Sequence, residues 1–294
     1  MIKCPLCKSE EYILKDYFYD FKKKLFKTII YKLNLKKLIK LLSEKLYFKF
    51  TSGEEMFLDK KILICKNCNL GSVHPMIDDK ILEDYYSKNY WENNRMTTDI
   101  VEKISEEEVK YFSEKIDFLK QNFNFQDKVI AEFGCGKGIL ANEVLKREKI
   151  KQYTAVEMSD KIILKELVKN RFMKTSKNLD LIEDKSIDLF IMIQSIEHIS
   201  DINVFLKKLK SKLKDKAMVL IETPNYNKTY FQKKSGWTPH TLFFNKKSIG
   251  LLAKKFDCEM IYFKYLDVTW SEILEKKKKN EDEEGHNMRI LLKF

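Results

Sequence analysis

The stretch that decides the fold is Glu132-Phe133-Gly134-Cys135-Gly136-Lys137-Gly138. It leaves a short apolar run, Val129 to Phe133, and runs into a helical pattern, Ile139 to Arg147. Three glycines thus fall on a strand-to-helix turn, where missing β-carbons let the backbone pass close beneath a ligand. Outward from this turn the alternation continues. The pattern predicts a strand from Tyr153 to Met158, a helix from Lys161 to Phe172, a strand from Ile187 to Ile193 and a helix from Ile202 to Leu213. A strand from Met218 to Glu222 and a helix from Lys247 to Phe256 follow. Such an order builds an α/β domain with a parallel sheet and helices on both faces, and ligands of such sheets bind at the carboxyl ends of the strands.

Nineteen residues past Gly138, Glu157 ends the second strand in Ala155-Val156-Glu157-Met158. A carboxylate there is placed to accept hydrogen bonds from both ribose hydroxyls of an adenosine while the glycine turn holds the remainder. The residues specify a nucleoside site without naming the nucleoside, since Gly136-Lys137-Gly138-Ile139-Leu140-Ala141 also fits a dinucleotide fingerprint.

At 294 residues the chain suggests two domains, or one large one with an appendage. Its 44% hydrophobic and 34% charged residues are the balance of a folded protein, which excludes collagen-like and low-complexity classes. No stretch approaches the roughly 20 consecutive apolar residues of a membrane-spanning helix, and the start shows no signal-type apolar region, so the expected location is the cytoplasm. The net charge of +12 suggests a nucleic-acid partner until its distribution is read. Residues 20–50 hold ten lysines against Asp20 and Glu44, and the remainder is close to neutral, which makes nucleic acid a poor expectation.

Cys4, Cys7, Cys65 and Cys68 form two C-x-x-C pairs, whereas Cys135 and Cys258 stand alone. Two such turns aim four thiolates at one tetrahedral zinc, with no position left for substrate, so the zinc is structural; a redox pair is the alternative. The 57 residues between the pairs contain the basic excess. Phe21, Leu25, Ile29 and Leu33, then Leu38, Leu42 and Leu46, repeat every four residues and predict amphipathic helix. That face would either meet an anionic membrane or a phosphate-bearing substrate, or pack on the rest of the protein with its lysines in water; the packing reading is favoured. The aromatic cluster Asp84-Tyr85-Tyr86-Ser87-Lys88-Asn89-Tyr90-Trp91 either caps a small-molecule pocket or packs a small module on a larger domain. The expected division is a zinc-binding module over 1–90 with its insertion at about 18–50, a helical connector over 91–127 and the α/β domain over 128–294.

The glycine turn with its leading Glu132, followed by Glu157, resembles the class I S-adenosylmethionine-dependent methyltransferases. So do the run D-L-F-I-M-I-Q-S-I-E-H-I at 188–199, the T-P-N after the fifth strand, and H-T-L-F-F-N-K-K-S-I-G-L-L-A-K-K-F at 240–256. The resemblance spans about residues 110–294. It implies a Rossmann-like sheet ending in an antiparallel sixth and seventh strand, here Cys258 to Asp267 and Met288 to Phe294, with the charged run Lys276 to Glu284 as a solvated loop between them. It also implies roles. Glu132 and the backbone of Gly134, Cys135, Gly136 and Gly138 would hold the methionine part of S-adenosylmethionine, and Glu157 the ribose, with Met158 beside it. Gln194 and Ser195 would line the methyl-donor pocket, and Asn178 is the candidate for adenine.

His198, after the fourth strand, is a candidate base or a structural anchor of its loop. His240 is the second candidate, in a loop from Asn225 to Phe244 that is long enough to act as a lid and whose Tyr226, Tyr230, Phe231 and Trp237 could form an aromatic wall. Two C-x-x-C pairs ahead of such a domain resemble sugar methyltransferases, which implies a small-molecule or glycan acceptor such as a nucleotide-linked sugar or surface-glycan precursor. Methylation at carbon or at oxygen stays open. RNA methylation, a non-catalytic donor-binding module and NAD-dependent reduction are the competing readings.

Overall fold

The computed structural model describes residues 2–17, 54–57, 59–89, 104–159, 162–226, 240–266 and 285–294. The predicted insertion helices at 18–50, Tyr90 and Trp91, the wall residues Tyr230, Phe231 and Trp237, and the charged run at 276–284 lie outside them. Among the described residues no helix is long and apolar enough to cross a membrane.

The elements in chain order begin with β1 (Tyr12–Asp16), β2 (Lys61–Cys65), β3 (Gly71–His74), α1 (Asp79–Asp84) and α2 (Glu106–Lys120). The alternating part follows as β4 (Val129–Phe133), α3 (Ile139–Arg147), β5 (Gln152–Val156), α4 (Lys165–Val168), β6 (Met173–Ser176), β7 (Ile187–Ile193), α5 (Ile202–Lys212) and β8 (Leu213–Pro224). It ends with β9 (Leu242–Phe243), α6 (Lys246–Lys255), β10 (Glu259–Leu266) and β11 (Asn287–Lys293).

The large sheet has the order β10-β11-β8-β7-β4-β5-β6. β4 pairs in parallel with β5 and β7, β5 with β6, and β7 with β8. β11 is antiparallel to both β8 and β10, so of the two last strands the final one alone runs against the rest. This is the α/β architecture expected from the sequence. Chain order reverses between β4 and β7, which puts the switch point at the carboxyl end of β4.

The predicted helix over Lys161 to Phe172 is corrected to the single turn α4. Leu164 donates its backbone N–H to the Lys137 carbonyl at 3.1 Å, drawing this segment onto the glycine turn instead of letting it wind up.

The second sheet, β1-β2-β3-β9, joins the N-terminal part of the chain to the large domain. Its β9 lies between β8 and α6 in the chain, and Phe243 lies in the core of the N-terminal part with Tyr17, Phe57, Ile62 and Val73. Gly71 is required there because a β-carbon on it would come within 2.9 Å of Phe243 Cβ.

α2 is held on the large sheet by charge as well as by Ile116 and Leu119. It starts in a capping box formed by Ser105 and Glu108, and it buries Lys115 to 1% exposure. Lys115 Nζ sits 3.2 Å from Glu222 Oε2, itself 1% exposed, and 3.2 Å above the centre of the Tyr111 ring. Arg289 completes the network through its Nε to Glu222 and through two bonds of 2.7 Å from its terminal nitrogens to Glu114. Burial pushes the Lys115 ammonium down, with Glu222 pulling against it. Removing one partner of such a set leaves an uncompensated buried charge. Lys115→Ala is therefore expected to cost about 3 kcal/mol or more in chemical denaturation. Lys185→Ala, at the exposed pair with Asp215, should stay within about 0.5 kcal/mol. Equal losses in the two variants would show that the buried network does not hold α2.

Candidate functional site

At the carboxyl end of β4 the chain turns through Gly134, Gly136 and Gly138, with φ of 72°, 54° and 80°. A β-carbon on Gly134 would meet Ser195 Cβ at 2.9 Å, so the segment just after β7 closes over a bend that only glycine can make. The amides of the turn are fixed from β5. Gly134 N–H donates to the Val156 carbonyl at 2.8 Å, and Gly136 N–H to Glu157 Oε2 at 3.0 Å. The other Glu157 oxygen accepts the Ser159 N–H at 3.3 Å. Glu157 is thus turned onto the glycine loop, and a carboxylate, with about four lone-pair sites, can accept ribose hydroxyls as well.

Glu132 is buried and accepts a 2.8 Å hydrogen bond from the Tyr153 hydroxyl. Cys135 is buried within the turn, where desolvation and the neighbouring carboxylates push its thiol up. Met158 is half-buried beside Glu157. Gln194 stands at φ 51°, its N–H bonded to the Glu222 carbonyl at 2.8 Å. Ser195 is buried, and its Oγ has no hydrogen-bond partner among the described residues. Asn178 is exposed, and its Oδ1 caps the short turn at Leu179–Leu181 by accepting the Asp180 N–H at 2.9 Å.

The two histidines meet. His198 lies in a 3-10 turn, Ile196–His198, after β7, and its ring centroid is 4.9 Å from that of His240. His240 Nε2 lies 4.0 Å from Glu197 Oε1. Thr241 fastens the two loops, since its N–H donates to the Glu197 carbonyl at 2.8 Å and its hydroxyl to the Ile199 carbonyl, also at 2.8 Å. From the N-terminal part, Tyr17 donates its hydroxyl to the His240 carbonyl at 3.2 Å, and the Tyr86 hydroxyl lies 2.8 Å from His198 Nδ1.

Glu197 and Tyr86 are members of this cluster that no sequence argument singled out. Glu197 was visible in the Glu-His end of the 188–199 run. Tyr86 was visible only as one aromatic among several, because its partner is 112 residues away. Of the predicted wall, the described Tyr226 lies with its ring 5.9 Å from Phe243.

The four paired cysteines converge. Cys4 and Cys68 sulfurs are 3.4 Å apart, as are those of Cys7 and Cys65, and all four lie within 4.8 Å of one another. Each pair sits in the same kind of turn: Lys8 N–H bonds the Cys4 carbonyl and Asn69 N–H the Cys65 carbonyl, with Lys8 and Asn69 at φ 64° and 59°. A tetrahedral ion with sulfur bonds of about 2.3 Å needs sulfurs roughly 3.8 Å apart, so the cluster fits zinc. Contact with Cys68 holds the Cys4 thiol down to about 5, whereas that contact and burial push Cys68 up, so without a cation the pair resists carrying two charges. The cluster packs on α6, where Lys255 Nζ donates to the Pro5 carbonyl at 2.7 Å.

Sheet order, glycine turn and acidic strand ends together define a class I S-adenosylmethionine-dependent methyltransferase. Residues 105–262 match the methyltransferase-domain family, and the chain belongs to it. The chain is 29% identical over 160 residues to a ubiquinone biosynthesis O-methyltransferase of Rickettsia prowazekii (strain Madrid E), covering 52% of this chain and 62% of that protein. It is 26% identical over 144 residues to the protein of the same name in Rickettsia bellii (strain OSU 85-389), covering 47% and 58%. The chain thus spans about three-fifths of the length of these curated relatives. The fold is shared with phosphoethanolamine N-methyltransferase 2 of Haemonchus contortus in complex with S-adenosyl-L-methionine, at a TM-score of 0.52 and 15% identity, over 76% of this chain and 61% of that one. The residues present fit that donor: the glycine turn has no room for a β-carbon at Gly134, and the buried Ser195 Oγ beside it has no hydrogen-bond partner among the described residues.

Burial, helped by the Glu157 charge, raises Glu132 from an ordinary 4.5 to about 8, against the Tyr153 hydrogen bond that lowers it. The unfolded chain releases this proton near 4.5 and the folded chain keeps it to about 8, so the stabilising contribution is complete below about pH 4.5 and is lost as pH rises toward 8. A glutamine does not titrate. The melting temperature of Glu132→Gln relative to the parent should therefore climb as pH is raised from about 5 to about 9, by an amount equivalent to about 1 kcal/mol or more. A difference that stays flat across that range would mean Glu132 is ionised in the folded protein.

Proposed function

We propose that the chain transfers the methyl group of S-adenosylmethionine to a hydroxyl of a small-molecule or glycan acceptor, such as a nucleotide-linked sugar or a surface-glycan precursor. One observation carries this reading: Glu197, His198 and His240 gather immediately beyond Ser195, where an acceptor proton has to be taken. The O-methyltransferase names of the Rickettsia relatives support oxygen over carbon as the receiving atom.

The bound donor supplies a methyl carbon on a positively charged sulfur. The work of the chain is alignment, removal of water and care of one proton. On this reading the glycine turn and Glu132 bind the methionine end, Glu157 the ribose, and Asn178 lies toward the adenine. Gln194 and Ser195 wall the reacting centre. The hydroxyl proton passes to His198 or His240, and Glu197 stabilises the imidazolium that forms. Cys4, Cys7, Cys65 and Cys68 hold a structural zinc that fixes the 1–90 segment against the 128–294 domain.

Calorimetry with S-adenosylhomocysteine, then a panel of nucleotide sugars, glycans and phenols read as homocysteine-conjugate release, tests the reading. Binding and turnover of at least one hydroxyl acceptor are expected, with His198→Gln lowering turnover about 100-fold or more at unchanged donor affinity. Binding of NADH in place of the donor product would remove the assignment, and methyl appearing only on RNA would remove the acceptor class. Elemental analysis should find about one zinc per chain, lost in Cys65→Ser; four thiols reactive in the native protein with no metal present would exclude the zinc.

A further inference from the structure

The N-terminal part reaches past its cysteines into the histidine cluster. α1 is followed by a wide π-type turn at Tyr85–Asn89, a local form that recurs at functional sites. Tyr85 is buried and packs edge-on to Tyr86, ring centroids 5.3 Å apart. At the opposite end of α1, Asp79 accepts a hydrogen bond from Ser200, two residues past His198. The same small element therefore grips the His198 loop at two points. Tyr86 also lies edge-on to the His198 ring at 5.6 Å, so that the His198 ring is in contact with both Tyr86 and His240.

We propose that Tyr86 is a positioning residue for methyl transfer: its phenol oxygen accepts the Nδ1 proton of His198 and so places the imidazole lone pair on Nε2. This deepens the proposed function and rests on it for the use to which Nε2 is put. In a neutral imidazole one nitrogen carries hydrogen and the other a lone pair, and the partner of one nitrogen decides which. If Tyr86 donated to Nδ1 instead, Nε2 would bear the hydrogen and His198 could take no proton. With Tyr86 accepting, the acceptor O–H bond breaks, its proton goes to Nε2, and the oxygen lone pair forms the new bond to carbon. The electron pair of the carbon–sulfur bond stays on sulfur. The proton leaves His198 for solvent afterwards.

The cysteine-bearing module is then more than a support. Its docking selects the tautomer at the reacting centre, whereas the glycine turn, built wholly by the other domain, binds donor without it.

The test uses the full chain labelled with nitrogen-15 at its four histidines. Two-bond proton–nitrogen spectra in mildly alkaline buffer report the hydrogen position in each ring, and the signal lost in His198→Gln assigns His198. The expected pattern is a pyrrole-type Nδ1 and a pyridine-type Nε2. Tyr86→Phe keeps the ring and its packing, and it should move the hydrogen of His198 largely to Nε2 while zinc content is unchanged and the affinity for S-adenosylhomocysteine stays within about two-fold. A hydrogen on Nε2 in the parent protein, or a pattern unaltered in Tyr86→Phe, overturns the proposal. Absence of S-adenosylhomocysteine binding in parent and variant alike would instead overturn the proposed function, because the tautomer is read without donor.

Discussion

Ser195 leaves no room for a β-carbon on Gly134, and the way the segment just after β7 closes over the glycine turn organises the rest of the site. A bend at φ 72° costs an ordinary residue strain, and here it would add a clash as well. What the chain obtains is a strip of backbone amides at the switch point. The first is fixed by the Val156 carbonyl and the next by the Glu157 carboxylate. Leu167 and Ile163 pack over Gly138 from the outside, which is why α4 is one turn long: its apolar residues serve the loop instead of a helix face. Lys137, buried at the same turn, reaches Glu108 at the start of α2 at 3.1 Å, so the turn is held from β5, β7 and α2 together.

The N-terminal segment is joined to this framework by backbone pairing and not merely by side chains. β9 pairs with β3 through Gly71–Phe243 and Ser72–Leu242, and Val73 N–H bonds the Thr241 carbonyl at 2.9 Å. His240 is the residue immediately before this junction. Its place is therefore set on one side by Thr241 holding Glu197, and on the other by a strand that exists only when the cysteine module is present. Phe243 fills the module's core beside Tyr17, whose ring stacks on Phe57 at 4.2 Å. The burial of these aromatics adds to the adhesion between the two parts.

What the sequence revealed follows the range of the interactions. β4, α3 and β7 were legible to the residue because each is an unbroken apolar or 3.6-periodic run bounded by turns. β6 was not, since Met173-Lys174-Thr175-Ser176 has two exposed polar residues between two inward ones and earns its strand state from pairing with β5. β8 begins at Leu213, earlier than its apolar run, because Leu213 already pairs with Ile187 while Asp215 and Lys216 face water. β9 is two residues long and depends wholly on a partner more than 160 positions away. The site divides in the same way. Glycines and terminal acids announce themselves locally, whereas the meeting of His198, His240 and Tyr86 is a product of three distant segments. The pairing of Glu157 with the glycine loop was likewise beyond a linear reading.

The buried charges under α2 bear on the same geometry. Replacing a fully satisfied ionic set by packed apolar residues is often neutral or stabilising, so stability alone does not account for Lys115, Glu222 and Arg289 at this interface. Direction does. Arg289 engages Glu114 with two parallel bonds and Glu222 with a third, and Lys115 meets Glu222 from the neighbouring position of α2. Burial opposes the charge on both cations, and the two glutamates outweigh it at Arg289, raising that guanidinium further. Because successive helical residues are about 100° apart, turning α2 by one position would carry Lys115 and Glu114 away from their partners together. An apolar contact would tolerate such a slip. The ionic one does not, and the register it enforces is the one that brings Glu108 over Lys137. Glu222 also offers its carbonyl to Gln194, the residue before Ser195. Fixing α2 and fixing the wall of the pocket are thus one structural event, with Glu222 as the shared member.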